Sequence, residues 1–208
     1  MRRKLKGTPN PFAYSATPIK RKHGPVGYQN YESYRDWLRD DFSFRCVFCL
    51  RREQWEIMRA VFVIDHFIAQ CRDSLRILDY ENLLYLCSSC NASKSYHLVC
   101  DPCDVALGKC LKVHKDGTIT AKNEDGQLLI DLLRLDNEDY TQFRYRTIRT
   151  IQGLAQLKDR ETILLWLRYP ENLPDLNQLR PPGGNRKPKG IRRSHHARRL
   201  RGELPEMY

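Results

Sequence analysis

The apolar positions before residue 100 predict one helix, one strand and a second short helix. Aromatic residues and leucine recur at helical spacing over residues 31–42, directly after an asparagine that can cap a helix. The run AVFVI at residues 60–64 is rich in β-formers and predicts a strand that ends at Asp65 and His66. The motif CSSCNASKSY at residues 87–96 is typical of a short helix that starts beside two cysteines.

Beyond residue 100 the pattern predicts a hairpin followed by helices. The segment HKDGTITAKNEDG at residues 114–126 contains Asp-Gly twice around an alternating Thr-Ile-Thr stretch, which favours a hairpin. Over residues 127–167 the apolar positions return at helical spacing. We expect two or three helices there, covering one face of the cysteine-rich part of the chain.

Both ends of the chain are rich in proline, glycine and basic residues and have few apolar partners. The first 29 residues contain four prolines, and the last 29 begin with RPPGGNRKPKG before a run of arginines. This composition predicts flexible, poorly folded termini. The expected organisation is a basic N-terminal arm (1–29), a central module (30–96), a hairpin and helical extension (97–179) and a basic C-terminal tail (180–208).

Composition restricts the class of protein. A chain of 208 residues with 41% hydrophobic residues can form one domain of ordinary size or a small domain with appendages. Its longest apolar runs, residues 60–64 and 163–167, are far shorter than the ~20 residues of a membrane-spanning helix, which excludes an integral membrane protein. The basic start of the chain is followed by no apolar stretch, so we expect no secretory signal and a cytoplasmic, reducing environment.

The positive charge is concentrated at the two ends. The formal net charge is +11, and residues 1–30 hold seven basic side chains without an acid, while residues 180–208 hold nine basic and two acidic ones. Such basic segments suit a polyanion, because Lys and Arg displace the counterions that are condensed on phosphates. We therefore expect nucleic acid as the partner, with the tail arginines Arg192, Arg193, Arg198 and Arg199 among the contacts; a tail that only adds solubility is the alternative.

Two Cys-x-x-Cys pairs predict a structural zinc site. Cys46 and Cys49 form the first pair, and Cys87 and Cys90 form the second, 37 residues later. Four thiolates complete the tetrahedral coordination of Zn²⁺ and leave no position for substrate. The alternatives are a thioredoxin-like redox pair or unrelated buried thiols. The long interval indicates that something is inserted between the pairs.

Five polar residues in and after this interval carry a family resemblance. They are Asp65, His66, Asn82, Asn91 and Lys94. Taken with the cysteines, the order Cys-x-x-Cys, Asp-His, Asn-Leu-Leu-x-Leu-Cys-x-x-Cys-Asn-x-x-Lys resembles the HNH endonucleases, also called ββα-metal nucleases. The resemblance covers residues 46–95, about a quarter of the chain.

The resemblance implies a fold, an activity and a role for each residue. The fold is α+β: a zinc-stapled ββα-metal, treble-clef-like module with a helical C-terminal extension. The activity is metal-dependent hydrolysis of DNA phosphodiesters. Asp65 and Asn91 supply oxygen ligands to one Mg²⁺ or Mn²⁺, His66 is the general base, Asn82 ties the loop and orients the base, and Lys94 contacts phosphate.

Two positions depart from the family pattern. Asn91 stands where the family often has histidine, which keeps a metal-binding side chain. Residues 67–69 read Phe-Ile-Ala where the family often has a proline, which removes no functional group.

Four cysteines lie outside these pairs. Cys100, Cys103 and Cys110, with His97 or His114 nearby, could form a second zinc site or could be ordinary free thiols. Cys71 has no evident partner in the sequence.

Two other functions fit the same residues. The first is a zinc-knuckle nucleic-acid-binding protein without catalysis. The second is the nuclease subunit of a larger, phage-defence-type complex, in which a protein partner selects the target and the helices near residues 127–168 form the docking face.

Overall fold

The computed structural model describes residues 8–56 and 61–208, which form a mixed α+β structure with two small two-stranded sheets. The first residues of the predicted N-terminal arm and Ala60 of the predicted strand lie outside the described residues. Among the residues that are described, no helix is both long and apolar enough to cross a membrane.

The described elements have the following bounds. The α-helices are α1 (Arg35–Asp41), α2 (Ser88–Lys94), α3 (Leu107–Cys110), α4 (Glu124–Leu133), α5 (Glu138–Gln156), α6 (Arg160–Leu167) and α7 (His195–Leu200). The strands are β1 (Phe62–His66), β2 (Leu83–Cys87), β3 (Leu111–Val113) and β4 (Ile119–Ala121). Short 3₁₀ helices span Tyr31–Tyr34, Glu53–Trp55, Ser74–Arg76, Tyr80–Asn82 and Pro188–Arg193.

The predicted helix after Asn30 is confirmed, with a 3₁₀ first turn. The Asn30 side chain accepts a hydrogen bond from the Glu32 main-chain N–H and starts the 3₁₀ helix, which leads directly into α1. Trp37 and Leu38 of α1 are fully buried in the main core. This helix therefore packs its apolar side on the cysteine-rich module, where β2 is its main contact.

β1 and β2 form an antiparallel pair that leads into α2. The register runs from Phe62 opposite Cys87 to His66 opposite Leu83, so the cysteine end and the histidine end of the hairpin are opposite ends. All five residues of β2 are buried. The Cys87 sulfur caps α2 by accepting from the Cys90 main-chain N–H at 3.5 Å, and the chain then turns back along the hairpin. The predicted strand and the predicted short helix are both confirmed.

The predicted hairpin and helices after residue 100 are also confirmed. β3 and β4 pair antiparallel, and Gly117 takes a positive φ of 83° in the turn between them. A Cβ at Gly117 would also lie 2.3 Å from the Thr141 carbonyl oxygen of α5. Both the positive φ and this close packing therefore require glycine. Three helices, α4 to α6, then follow.

The prediction of poorly folded termini is wrong where the structure describes them. Residues 24–27 run alongside residues 183–186, with main-chain hydrogen bonds between Val26 and Gly184 (3.0 Å) and between Gly183 and Val26 (2.9 Å). A Cβ at Gly27 would lie 2.4 Å from the Gly183 nitrogen. The glycines and prolines of both segments therefore permit two backbones to approach closely, where composition alone had suggested disorder.

The C-terminal tail is likewise folded onto the body. Ser194 caps α7, and the His195 side chain is buried against Asp40 of α1. Tyr208 stacks on Tyr169 with ring centroids 4.3 Å apart. His195 therefore lies in the interior, although it belongs to the segment that composition predicts to be a flexible basic tail.

Candidate metal centre and active site

The four cysteines of the two Cys-x-x-Cys pairs come together at one point, as predicted. Cys46 and Cys49 lie in the turn after α1, where the Leu50 N–H donates to the Cys46 carbonyl at 3.0 Å. Cys87 ends β2 and Cys90 lies in the first turn of α2. All four are buried, and their sulfur atoms lie within 4.8 Å of one another.

The spacing of these sulfur atoms suits tetrahedral zinc. The Cys49 and Cys87 sulfurs are 3.6 Å apart, and a tetrahedron with Zn–S bonds of ~2.3 Å places its sulfurs ~3.8 Å apart. The Tyr140 hydroxyl of α5 lies 3.5 Å from the Cys90 sulfur, so the helical extension reaches this cluster. Four converging thiols in the core are consistent with a closed, structural Zn²⁺ site. A thioredoxin-like redox pair needs only two cysteines, so the four-cysteine cluster favours zinc over that alternative.

Asp65 and His66 lie at the opposite end of the hairpin from the cysteines. Asp65 is largely buried, and the Lys94 ammonium lies 2.8 Å from its Oδ2 atom. Burial raises the pKa of Asp65, and the positive charge of Lys94 opposes that rise. Lys94 also donates to the His66 carbonyl at 3.0 Å, so the end of α2 is fastened to the end of β1.

The contacts of His66 determine which of its nitrogens carries the proton. Nε2 lies 2.9 Å from the Ile77 carbonyl, which can only accept, so Nε2 is the protonated nitrogen. Nδ1 is then free to accept, and the Gln70 side-chain amide donates to it at 3.2 Å. The Tyr31 ring packs edge-on against the imidazole with centroids 5.0 Å apart. His66 is therefore held with Nδ1 directed at an exposed side chain that can move away.

Asn82 connects the two ends of the loop between β1 and β2. Its side-chain oxygen accepts from the Ile68 N–H at 2.8 Å, and its amide donates to the Ile68 carbonyl at 3.1 Å and the Arg76 carbonyl at 3.2 Å. Its own carbonyl accepts from the Phe67 N–H at 2.7 Å. The side chain is 1% exposed, so Asn82 holds the loop from inside and does not face solvent.

Asn91 and Lys94 lie one turn apart on α2. Residues three apart on a helix share a face, so Asn91 lies on the side of α2 that carries Lys94 toward β1. Asn91 is partly exposed, whereas Lys94 is 0% exposed. The expectation that Lys94 contacts phosphate does not fit this position, because its ammonium is enclosed and already bonded to Asp65 and His66.

Asp65 offers a carboxylate oxygen at this end of the hairpin. Asp65 Oδ2 is buried and, within the described part of the chain, has no hydrogen-bond partner besides its ion pair with Lys94. Carboxylate and amide oxygens, as on Asp65 and Asn91, are ligands that Mg²⁺ accepts while it keeps several waters. Asp65 and Asn91 are therefore the residues that could hold such an ion.

The side chains of the four tail arginines differ in how many contacts they make with the rest of the protein. Arg199 donates to the main-chain carbonyls of Pro170 and Glu171, both at 2.9 Å, and Arg198 contacts the Glu203 carbonyl at 3.3 Å. Arg192 and Arg193 are exposed and form no ion pair with any described residue. Arg192 and Arg193 are thus the better placed of the four to meet a phosphate.

Only part of the second group of cysteines comes together. Cys100 and Cys110 lie together, and Asp125 of α4 is the third member of their group. Cys103 lies beside Asp101, whose side chain accepts from its N–H at 2.7 Å. His114 contacts Thr120 at 2.9 Å, and His97 stacks on Tyr96. Of the residues that the sequence offered for a second zinc site, Cys103 and both histidines therefore have other neighbours.

Sequence reasoning missed two groups of the site region. Gln70 and Ile77 contact the two nitrogens of His66, yet both lie in an irregular loop with no periodic pattern. The Asp40 carboxylate binds His23 and His195, which are 172 residues apart in the chain. The Asp40-Asp41 pair at the end of the apolar helix α1 was the only sequence signal for the contacts of Asp40 with the two histidines.

No protein-family model matches the sequence, and no curated protein matches it.

Proposed function

We propose that the protein is a metal-dependent endonuclease of the HNH type, built on a ββα-metal module. The observation that carries the proposal is the contact of Lys94 with both Asp65 and His66. This contact brings the end of α2 back to the Asp-His end of β1, and Asn91 lies one turn before Lys94 on the same helix. A strand pair and a helix that meet in this way are the arrangement that the family resemblance implies.

His66 is the proposed general base. Its Nε2–H is held by the Ile77 carbonyl, which fixes the ring orientation and leaves Nδ1 to take a proton from the attacking water. Gln70 now donates to Nδ1 and is exposed, so a water can replace its amide when substrate binds. Asn82 positions the base indirectly, because it holds the loop that contains both Gln70 and Ile77.

Asp65 and Asn91 are the proposed ligands for one Mg²⁺ or Mn²⁺. A divalent cation there would stabilise negative charge on the scissile phosphate and the leaving 3′ oxygen. The ion pair with Lys94 orients Asp65 for this role. The ammonium of Lys94 also neutralises the buried carboxylate. The four-cysteine zinc site holds the other end of the same hairpin and is separate from this chemistry.

DNA is the proposed substrate. The net charge of +11 gives the protein non-specific, salt-sensitive attraction to polyphosphate. Arg192 and Arg193 are exposed and form no ion pair within 4.0 Å with any described acidic side chain. A free-standing enzyme and the nuclease subunit of a larger complex would both use these residues in this way.

Cleavage of plasmid DNA tests the activity. Supercoiled plasmid is incubated with purified protein in Mg²⁺, Mn²⁺ or EDTA, and nicked and linear products are separated on a gel. We expect cleavage only with metal, and a loss of about 10²-fold or more in His66→Ala. His114→Ala is the matched control, because His114 lies in the β3–β4 hairpin and its side chain contacts Thr120, outside the proposed active site. Equal activity of wild type and His66→Ala would refute the assigned base.

A non-catalytic nucleic-acid-binding protein is the second candidate. The Lys94–Asp65 ion pair favours it, because an ammonium already neutralises the carboxylate that a metal ion would need. Mn²⁺ binding followed by electron paramagnetic resonance separates the two. Binding that is weakened in Asp65→Asn and Asn91→Ala supports the enzyme, whereas DNA binding without any Mn²⁺ binding or cleavage supports the second candidate.

A further inference from the structure

Cys100, Cys110 and Asp125 form a second group of potential metal ligands, distinct from the four-cysteine cluster. One ligand atom from each residue lies within 4.8 Å of the other two. Cys100 lies in the segment after α2, Cys110 ends α3, and Asp125 lies in the first turn of α4. Three separate elements therefore contribute one donor each to the same point.

The local packing holds α4 close to Cys110. The Lys122 N–H donates to the Cys110 carbonyl at 2.7 Å, just before α4 begins. A Cβ at Gly126 would lie 2.0 Å from that same carbonyl oxygen, so only glycine lets the first turn of α4 lie this near. Asp125, the neighbour of Gly126, is placed beside the thiols by this close approach.

A polar side chain forms a hydrogen bond to the buried sulfur of Cys110. The Asn123 amide, which belongs to the residue that caps α4, donates to the Cys110 sulfur at 3.7 Å. A hydrogen bond to a ligating sulfur is the kind of outer contact that orients metal ligands in proteins. Cys110 therefore has a donor that suits its thiolate form.

Exposure increases from one member of the group to the next. Cys110 is 0% exposed, Cys100 is partly exposed, and Asp125 is exposed. An ion can therefore enter from the side of Asp125 and reach two thiolates. Two thiolates and one carboxylate are three protein ligands, which leaves one of four tetrahedral positions to solvent.

We propose that Cys100, Cys110 and Asp125 bind a second Zn²⁺, with water as its fourth ligand. Thiolates select Zn²⁺ over Mg²⁺ and Ca²⁺, which prefer oxygen. The ion would link the first turn of α4 to the end of α3 and to the segment that follows α2. Because one position is open and one ligand is exposed, this ion exchanges faster than the ion in the closed four-cysteine site.

Zinc counting on single variants tests the proposal. Full-length protein, prepared with reductant and Zn²⁺ and without chelator, is desalted, and its zinc is measured by elemental analysis. We expect about two Zn²⁺ per chain in the wild type and about one in Cys100→Ser and in Asp125→Asn. Asp125→Asn removes only a charge from an exposed side chain, so it should fold. Cys103→Ser is the matched control and should keep both ions.

Cobalt gives a second readout that does not depend on enzymatic activity. Co²⁺ in tetrahedral thiolate sites absorbs visible light, and the difference between the titrations of wild type and Asp125→Asn isolates the second site. A brief treatment with EDTA should remove one ion from wild type and none from Asp125→Asn. One Zn²⁺ per chain in both wild type and Asp125→Asn would overturn the proposal. So would a Cys100–Cys110 disulfide, detected by mass spectrometry in protein kept under reductant.

Discussion

The carboxylate of Asp40 is hydrogen-bonded to His195, which lies 155 positions later in the chain. The His195 main-chain N–H donates to Asp40 Oδ2 at 2.7 Å, and its Nδ1 lies 2.9 Å from the same oxygen. His23 Nε2 donates to the other carboxylate oxygen at 2.9 Å. Burial opposes ionisation of Asp40, but the hydrogen bonds from His195 and His23 hold its pKa well below the usual range. One ionised carboxylate therefore joins α1 to segments near both ends of the chain.

This contact predicts that the protein loses stability as the pH falls below about 6.5. Burial lowers the pKa of His195 from its ordinary value of 6.5, with further lowering by Lys22 and Arg198 and opposition from Asp40. Below that value the unfolded chain takes up a proton that the folded chain resists, so the free energy of unfolding decreases with falling pH. Urea unfolding at pH 7.5, 6.5 and 5.5 measures the change.

The variant His195→Asn identifies the responsible group. Its side-chain amide can still donate to Asp40 but does not titrate, so the loss of stability between pH 7.5 and 5.5 should shrink by up to about 1.4 kcal/mol per pH unit. His114→Asn, in the β3–β4 hairpin, should keep the wild-type pH dependence. The same dependence in all three proteins would exclude His195 as the cause.

Asn82→Ala should open the loop between β1 and β2. The substitution removes three side-chain hydrogen bonds to Ile68 and Arg76, each of which contributes about 0.5–1.5 kcal/mol. Cleavage of residues 67–81 by a protease at low concentration should become faster, and the free energy of unfolding should fall by about 2 kcal/mol. Asn177→Ala, at an exposed position, is the control and should match wild type in both assays.

Removal of the first zinc should unfold the central module. Cys87→Ser takes one ligand from the four-cysteine cluster and, at the same time, the sulfur that caps α2. Closed four-thiolate sites contribute folding free energy directly, so we expect the thermal midpoint to fall sharply with the loss of about one Zn²⁺. Cys71→Ser, an exposed free thiol, should change neither value. A Cys87→Ser protein that retains full zinc and the wild-type midpoint would contradict a zinc site here.

Arg192→Gln/Arg193→Gln should weaken DNA binding without harming the fold. Each phosphate contact that is lost reduces the slope of log affinity against log salt by about 0.9, so the double variant should lower it by nearly two units. Fluorescence anisotropy of a labelled duplex at several salt concentrations measures this slope. Arg146→Gln/Arg149→Gln removes the same charge from an exposed stretch of α5 and serves as the control. Identical slopes for both double variants and wild type would place the DNA elsewhere.

Local patterns in the sequence predicted the local elements well. The Asn30 cap, the β1 strand, the α2 helix and the β3–β4 hairpin each follow from the order of a few adjacent residues. The two Cys-x-x-Cys pairs likewise predicted that their four sulfur atoms lie close together, because zinc coordination demands four ligands at fixed distances.

Long-range packing was beyond the reach of those patterns. The prolines and glycines near Gly27 and Gly183 led to a prediction of disorder, because nothing in the local sequence indicates that these two segments pack against each other. The burial of Lys94 depends on how α2 turns back along the hairpin, which its sequence spacing does not encode. Asp125 was overlooked as a ligand because an acidic residue in the first turn of a helix is ordinary.

The pairing of residues 24–27 with residues 183–186 has a consequence for biosynthesis. While the ribosome is still making the middle of the protein, residues 24–27 lack the segment that they pair with, and the buried side of α1 at Asp40 stays incomplete. All four cysteines of the cluster are available as soon as Cys90 has emerged. Closure of the whole domain must wait until His195 has left the exit tunnel, so the nascent chain passes through a long stage in which the cysteine cluster can form but the domain is still open.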